Sequence, residues 1–443
     1  MNFTFTSALA VMIGLAATAF ADNDIVSLRV SPERGRIVKA DNAEAIIDVS
    51  LHGADIVSER PERRTPINLA LVLDHSGSMS GAKIEKARQA ACIAIDHLQP
   101  TDTFALVQFD NRVDVLIPAQ AVEDKEHLKD IVSRIQPGGS TALYAGVREG
   151  ARQLRKYFDD KIVNRVVLVS DGIANVGPSS PGDLADLGRS IRDTGGSVTT
   201  VGLGDDYNEN VMVSVAEASG ANYYYVKDAE KLPGVFETEL GQVKNAVARD
   251  VRIIIEVADG IEPIEIVGMP DVRFEGRKAT IHLGAFYASQ RRDLLLRCRI
   301  KSPQGESAEI AHAQVVYNAP GDEKARQADA AANVKFTDHQ ADSDQSVDAS
   351  ISTQVTLAEN AAARRRALAL QDQGNLKAAA GLLRAQAAID GRAAHALKND
   401  KLATEANVLD SMAGQFDSDQ PMTNEQRKAF HYENYNQANQ KGQ

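Results

Sequence analysis

The 443-residue chain carries 49 Lys and Arg against 61 Asp and Glu, a formal net charge of −12. It has no basic surplus to displace the counterions of a phosphate backbone, which argues against nucleic acid as a partner. Hydrophobic residues make up 43% and aromatics 5%, with no Trp, so the length divides into several domains with aliphatic cores and is not a disordered chain.

Residues 1–21 read as a secretory signal peptide. Residues 8–20 are an apolar stretch, and Ala19-Phe20-Ala21 fits the small-x-small cleavage pattern. The segment before that stretch lacks Lys and Arg, a departure from the pattern. The stretch is shorter than the ~20 residues a membrane helix needs. The expectation is an exported protein, periplasmic or extracellular, with no transmembrane segment after cleavage; an uncleaved anchor is the alternative reading. From residue 22 the pattern alternates, with Val26, Leu28 and Val30, then Ala45, Ile47, Val49 and Leu51. These are antiparallel strands, too few in residues 22–66 to be stable alone.

A different pattern starts at Ile67. A mostly apolar run ends at Leu73 and stops at Asp74, as in a strand buried on both faces of a parallel sheet. Asp74, Ser76 and Ser78 follow at alternate positions, so in an extended turn their side chains point the same way. One carboxylate and two hydroxyls form an all-oxygen set suited to a hard divalent cation. A plain Ser-Gly-Ser turn with Asp as a helix cap is the other reading of the triplet. Two later stretches share its setting. Gly138-Gly139-Ser140-Thr141 opens a helical pattern, and Ser170-Asp171-Gly172 closes a second apolar run. Both fall where a parallel α/β sheet places its ligands, at the carboxyl ends of strands. Between and beyond them, helices are expected over 83–98, 126–135, 142–158, 183–194, 209–218 and 229–242. Strands are expected over 104–109, 113–117, 165–170, 197–203 and 222–226. The Asp110-Asn111-Arg112 spacing makes a hairpin, hence one antiparallel edge strand.

In that order and with those flanking residues, residues 67–245 resemble a von Willebrand factor type A (VWA) domain of the bacterial exported kind. Its metal-ion-dependent adhesion site has the form Asp-x-Ser-x-Ser, then Thr, then Asp. Here those positions are Asp74, Ser76, Ser78, Thr141 and Asp171. The resemblance implies an α/β, Rossmann-like fold with a mostly parallel sheet flanked by helices. It also implies bound Mg²⁺, with Mn²⁺ or Ca²⁺ as alternatives. The hydroxyls would be direct ligands and the carboxylates would act mostly through waters. One coordination position would stay open for an Asp or Glu of a protein partner. A shell of neutral hydroxyls leaves the metal electrophilic toward such a carboxylate. The motif leaves His75 free, and it is expected on the solvent side. Gly202-Leu203-Gly204 lacks the third Gly of a dinucleotide fingerprint and reads as the end of a strand. Without a nucleophile elbow or a Walker Lys-Ser/Thr pair, the expectation is an adhesion or scaffold protein and not an enzyme. A metal-assisted hydrolase and an accessory subunit of a membrane-associated complex are the alternatives.

Alternation returns in residues 246–320, through Val251, Ile253, Ile255 and Val257 to Leu294, Leu296, Cys298 and Ile300. These strands are expected to complete one β-sandwich with residues 22–66, with the VWA domain inserted in it. Residues 321–346 read as a linker or loop, with a short strand at 334–336 as an added reading, and 347–416 as a helical region. Its hairpin turns at Gly374-Asn375, and a third helix covers 393–416. Residues 417–443 read as a polar tail, with Phe430, Tyr432 and Tyr435 as its candidates for docking. Cys92 and Cys298 fall in different expected domains and are read as two buried free thiols.

Overall fold

The computed structural model describes residues 25–55, 65–269, 272–319, 322 and 324–439, so the signal-peptide reading of residues 1–21 lies outside the described residues. Three short N-terminal strands, β1 (Val26–Pro32), β2 (Arg36–Val38) and β3 (Ala43–Gly53), precede an α/β unit. That unit runs β4 (Ile67–Asp74), α1 (Ala82–His97), β5 (Thr103–Phe109), β6 (Val113–Ala121), α2 (Lys125–Ser133), α3 (Leu143–Arg155) and β7 (Val163–Ser170). It continues through α4 (Pro181–Asp193), β8 (Gly196–Leu203), α5 (Glu209–Ser219), β9 (Tyr223–Val226) and α6 (Leu232–Lys244).

Its six strands lie in the order β6-β5-β4-β7-β8-β9. All pairs are parallel except β5 with β6, the hairpin that the Asp110–Arg112 spacing foretold. Every residue of β4, β7 and β8 is buried. Helices cover both faces, which is why these strands read as apolar runs without alternation. Successive β4 side chains feed two cores. Leu69, Leu71 and Leu73 pack with Ile84 of α1 and Phe236 of α6. Ala70 and Val72 pack with Val147 of α3 and Leu184 of α4.

The chain then forms β10 (Ala246–Val257), β11 (Ile261–Ile266), β12 (Lys278–Tyr287), β13 (Arg291–Ile300), β14 (Ser307–Asn318) and β15 (Arg326–Thr337). Two sheets result, with orders β1-β3-β13-β11 and β12-β10-β14-β15-β2, and each contains strands from both sides of the α/β unit. The longest join between the flanks is β3 with β13, antiparallel from Ala43↔Ile300 to His52↔Arg291. The two sheets close over one core, to which Val49 of β3, Leu296 of β13, Ile255 of β10 and Val315 of β14 all contribute.

Residues 321–346 are not a linker. β15 pairs with β14 from Ser307↔Lys335 to Tyr317↔Arg326, and with β2 in parallel. Its core-facing positions include Ala328, Ala330, Ala332 and Val334, mostly methyl groups too small to give an apolar alternation. A short α7 (Gln340–Asp344) follows it.

α8 (Ala349–Asp372) lies on the outer face of the four-stranded sheet, where Ile351 and Val355 meet Val267 and Leu295. α9 (Leu376–Leu397) and α10 (Asp400–Asp417) pack together around Leu383, Leu409 and Phe416. The expected single helix over 393–416 is broken. Lys398 adopts φ 49°, and the Asn399 side chain caps α10 by accepting from the Lys401 and Leu402 amides. Residues 417–443 are not simply a polar tail either. α11 (Asn424–Ala438) starts with a Thr423–Gln426 capping box. It docks on the α/β unit: Tyr432 and Tyr435 meet the Tyr223 ring edge-on, and the Tyr435 hydroxyl donates to the Ala221 carbonyl.

Both cysteines are free. Cys298 is buried, and burial pushes its thiol up to about 12. Cys92 is only half-buried, a correction to the expectation for that residue. Among the described residues no helix is long and apolar enough to cross a membrane.

Candidate metal centre

The five motif residues converge at the carboxyl ends of β4 and β7. Asp74, the last residue of β4, is fully buried. Its Oδ1 accepts the Ser76 amide at 2.8 Å, and its Oδ2 accepts the Ser170 hydroxyl at 2.5 Å. Beyond it the chain bends, with the His75 amide bonded to the Phe109 carbonyl at 3.0 Å. It then closes a 3-10 turn, Gly77–Met79, seated by the buried Met79 side chain. This turn brings the Ser76 and Ser78 hydroxyls to 3.1 Å from each other. Ser78 Oγ donates to Asp171 Oδ1 at 2.7 Å, which joins the β4 end to the β7 end.

Thr141 arrives from the loop before α3, which backbone bonds stitch to the same turn. Gly138 N donates to His75 O at 2.7 Å and Gly77 N to Gly139 O at 3.1 Å. Gly139 has φ +79°, and a Cβ there would lie 2.3 Å from Asp110 Oδ2, so only glycine fits. The Thr141 amide is held by the Asn175 side chain at 3.0 Å. Gly172 defines the space between the loops. A Cβ on it would stand 2.6 Å from Thr141 Oγ1 and 3.3 Å from Asp74 Oδ2. The hydroxyl and the carboxylate thus flank a cradle that any side chain at 172 would invade.

Two carboxylates and three hydroxyls make an all-oxygen donor set that fits a hard divalent cation. Among the described residues no three His, Cys, Asp or Glu side chains come together as a metal site; this set has two carboxylates, and its other members are hydroxyls. Asp74 and Asp171 are both at 0% exposure, Ser76 at 2% and Thr141 at 4%, whereas Ser78 is exposed. The cluster therefore opens outward on the Ser78 side. Burial raises the Asp74 carboxyl above its ordinary range. The Ser170 and Ser76 hydrogen bonds oppose that shift, and the nearby Asp171 charge adds to it.

His75 is not on the solvent side. It is 8% exposed, with Nδ1 at 2.9 Å from the Gln136 carbonyl, and it helps fix the loop that carries Thr141. Gly202 and Gly204 end β8, as read from sequence. The Tyr207 ring lies so close to Gly202 that a Cβ there would fall 2.1 Å from it. Sequence reasoning passed over three residues of the centre. Ser170 shares a strand end with Asp171, and Asn175 holds Thr141 across the cleft. Lys83 Nζ lies 2.5 Å from Asp171 Oδ2. Lys83 did leave a signal, because a cation in the first turn of a helix opposes the helix dipole.

A mostly parallel sheet with helices on both faces and a polar cluster at its strand ends defines a Rossmann-like α/β domain. The model of the von Willebrand factor type A domain family matches residues 68–238, so the chain carries a VWA domain over that stretch. An uncharacterised protein of Synechocystis sp. is 27% identical over 268 residues, 58% of this chain and 63% of that protein. Inter-alpha-trypsin inhibitor heavy chain H3 of Rattus norvegicus is 29% identical over 201 residues, 42% of this chain and 22% of that protein. The chain thus spans less than two thirds of either relative. Among solved structures, a von Willebrand factor type A protein from Catenulispora acidiphila superposes with a TM-score of 0.70. It is 18% identical, and the match covers 89% of this chain and 98% of that one. VWA domains mediate protein–protein interaction.

Proposed function

We propose that the VWA domain holds a divalent cation, Mg²⁺ with Mn²⁺ or Ca²⁺ as alternatives, and uses it to capture an Asp or Glu of a protein partner. The hydroxyls of Ser76, Ser78 and Thr141 would ligate the metal, and Asp74 and Asp171 would supply the countercharge. What supports this reading is the convergence of these five residues on one cradle, open at Ser78. A metal held mainly by neutral hydroxyls keeps enough charge to attract an external carboxylate. Exposed apolar side chains stand beside the cradle on the loop after Asp171, Ile173 at 59% and Val176 at 36%, and would cover the captured residue.

The reading is one of binding and not of catalysis. Both carboxylates are committed to neighbouring donors, Asp74 to Ser76 and Ser170, Asp171 to Ser78 and Lys83. Among the described residues, each motif carboxylate oxygen accepts from a neighbouring donor, which does not poise either group as a general base toward a water. His75 Nδ1 is engaged with Gln136, and the ring makes no hydrogen bond to either motif serine. Export, as expected from residues 1–21, would place the partner in the periplasm or outside the cell. The test is affinity capture from an envelope extract in Mg²⁺ with elution by chelator. A specific protein should elute, and the same capture should fail with Asp74→Asn. Binding that persists in excess chelator would remove the metal bridge.

A further inference from the structure

One cationic side chain of the protein reaches the centre. Lys83 reaches from the first turn of α1 to place Nζ 2.5 Å from Asp171 Oδ2. It makes the one ion pair to either motif carboxylate among the described residues. Its position is costly on local grounds. The N-terminal turn of a helix carries partial positive charge and disfavours a lysine. α1 has no side-chain cap at its start, and Glu85 is the acidic residue of its first turn. The contact also takes up Asp171 Oδ2, while Oδ1 is taken by Ser78. With Asp74 buried nearby, the site carries two negative charges at 0% exposure against one ammonium. The Lys83 side chain itself is 26% exposed. Gly204 borders it. It has φ +75°, and a Cβ on it would touch Lys83 Cε and Nζ at 3.4 Å.

We propose that Lys83 is a tethered counter-ion that neutralises Asp171 in the metal-free protein and that an incoming divalent cation must displace it. The lysine then acts as a positioning residue that sets metal affinity. It keeps the buried carboxylates compensated when no metal is present, and it weakens metal binding by competing for the same oxygen. A purely structural ion pair would behave in the opposite way. Its loss would loosen the loop ends and weaken metal binding, or leave it unchanged.

This inference rests on the metal reading above, and one experiment separates the two. Mg²⁺ binding to the full chain is followed by calorimetry for wild type, Lys83→Met and Lys83→Arg, and each metal-free protein is melted in chelator. Lys83→Met keeps the stem and loses the charge. It should bind Mg²⁺ roughly tenfold tighter, or ~1.4 kcal/mol, and melt lower without metal. Lys83→Arg retains a cation and should not tighten binding. Mg²⁺ binding by Lys83→Met alone, with none by wild type, supports the inference strongly. If wild type binds and Lys83→Met binds equally or less tightly, the counter-ion idea falls while the metal reading stands. If neither binds, both fall. Should Lys83→Met not fold, Lys83→Gln takes its place: tighter Mg²⁺ binding than wild type would support the proposal, and equal or weaker binding would overturn it.

Discussion

Replacing Asp74 with Asn removes one negative charge and almost no volume. The amide oxygen can still accept the Ser76 amide, and its NH₂ can face the Ser170 hydroxyl, which accepts in turn. The two contacts at 2.8 and 2.5 Å are therefore preserved in form. Two consequences of opposite sign follow. The metal-free protein is relieved of one of two buried carboxylates that share a single ammonium, which should stabilise it by about 1 kcal/mol, since uncompensated buried charge is costly. For a domain of this size that is ~2–4 °C in melting temperature. The metal-bound state loses countercharge, worth about 1.5–3 kcal/mol for a charge-assisted contact, or roughly tenfold to a hundredfold in Mg²⁺ affinity. Calorimetry of Mg²⁺ binding gives the second quantity, and melting in chelator gives the first. The transition to compare is the one that Mg²⁺ shifts in wild type. Unchanged Mg²⁺ affinity would refute the metal centre. A metal-free variant that melts lower than wild type would refute the argument from buried charge.

Two further predictions lie away from the centre. Asp48 is fully exposed to none of the solvent, neither carboxylate oxygen has a hydrogen bond, and Arg29 Nη2 is 3.9 Å away. Burial, with Asp293 and Asp348 adding to it against Arg29 and Arg291, raises its carboxyl to about 7 from 3.8. The native state then holds this proton where the unfolded chain has lost it, so its stability contribution is complete below the unfolded value and is lost as pH rises to about 7. The loss is at most about 4 kcal/mol at ~1.36 kcal/mol per pH unit. Asp48→Asn should therefore gain on wild type as pH rises from 4 to 8 in denaturant unfolding, and a constant difference would sink the reasoning. Tyr435→Ala removes a buried ring from the α11 contact with Tyr223 and the hydrogen bond to Ala221. It should cost about 3 kcal/mol and speed amide exchange in β9; no change in β9 exchange would mean that the helix does not dock there.

What the sequence disclosed follows from side-chain size and locality. β4, β7 and β8 announced themselves because both their faces are covered by helices. β3 and β13 did so because large apolar side chains recur at every second position along them, Ile47, Val49 and Leu51 in one and Leu294, Leu296 and Cys298 in the other, all in the sandwich core. β15 did not, since Ala328, Ala330 and Ala332 carry too little apolar surface to mark a buried face. α11 was hidden for another reason. Lys428 is 3% exposed and meets Glu209 at 3.2 Å, while Arg427 meets it at 2.7 Å. Such residues read as solvated until a partner 218 or 219 positions away is known. The centre was legible as a set because its five residues sit at strand ends and loop tips, which topology brings together. The contacts inside it were not: that Ser170 donates to Asp74, or that Lys83 reaches Asp171, depends on loop geometry that no spacing encodes.

The way the α/β unit is attached bears on what its site can do. The sandwich grips the unit at the amino ends of the parallel strands. Arg165, near the start of β7, is buried there, with Nη1 at 3.0 Å from Thr199 Oγ1 and 3.5 Å from Glu239, and Nη2 donating to the Tyr287 hydroxyl of β12. The Pro66 carbonyl, where the chain enters, accepts the Val163 amide at 3.0 Å. Six residues along the same strand, Asp171 stands at the opposite end, roughly 20 Å away at about 3.3 Å per residue. α11 takes the β9 edge through Tyr432 and Tyr435. Its first turns also reach the carboxyl-end side there, where Arg427 and Lys428 meet Glu209 at the start of α5 and Glu425 pairs with Lys227 after β9. The sandwich thus holds the unit from below, and α11 holds it on the β8–β9 side. Ser78, Ile173 and Val176 are left at the free end. On the proposed reading, a partner would approach the cradle over β4 and β7, on the side open at Ser78, and a cation entering there would have to overcome the ammonium of Lys83 and the desolvation of two carboxylates.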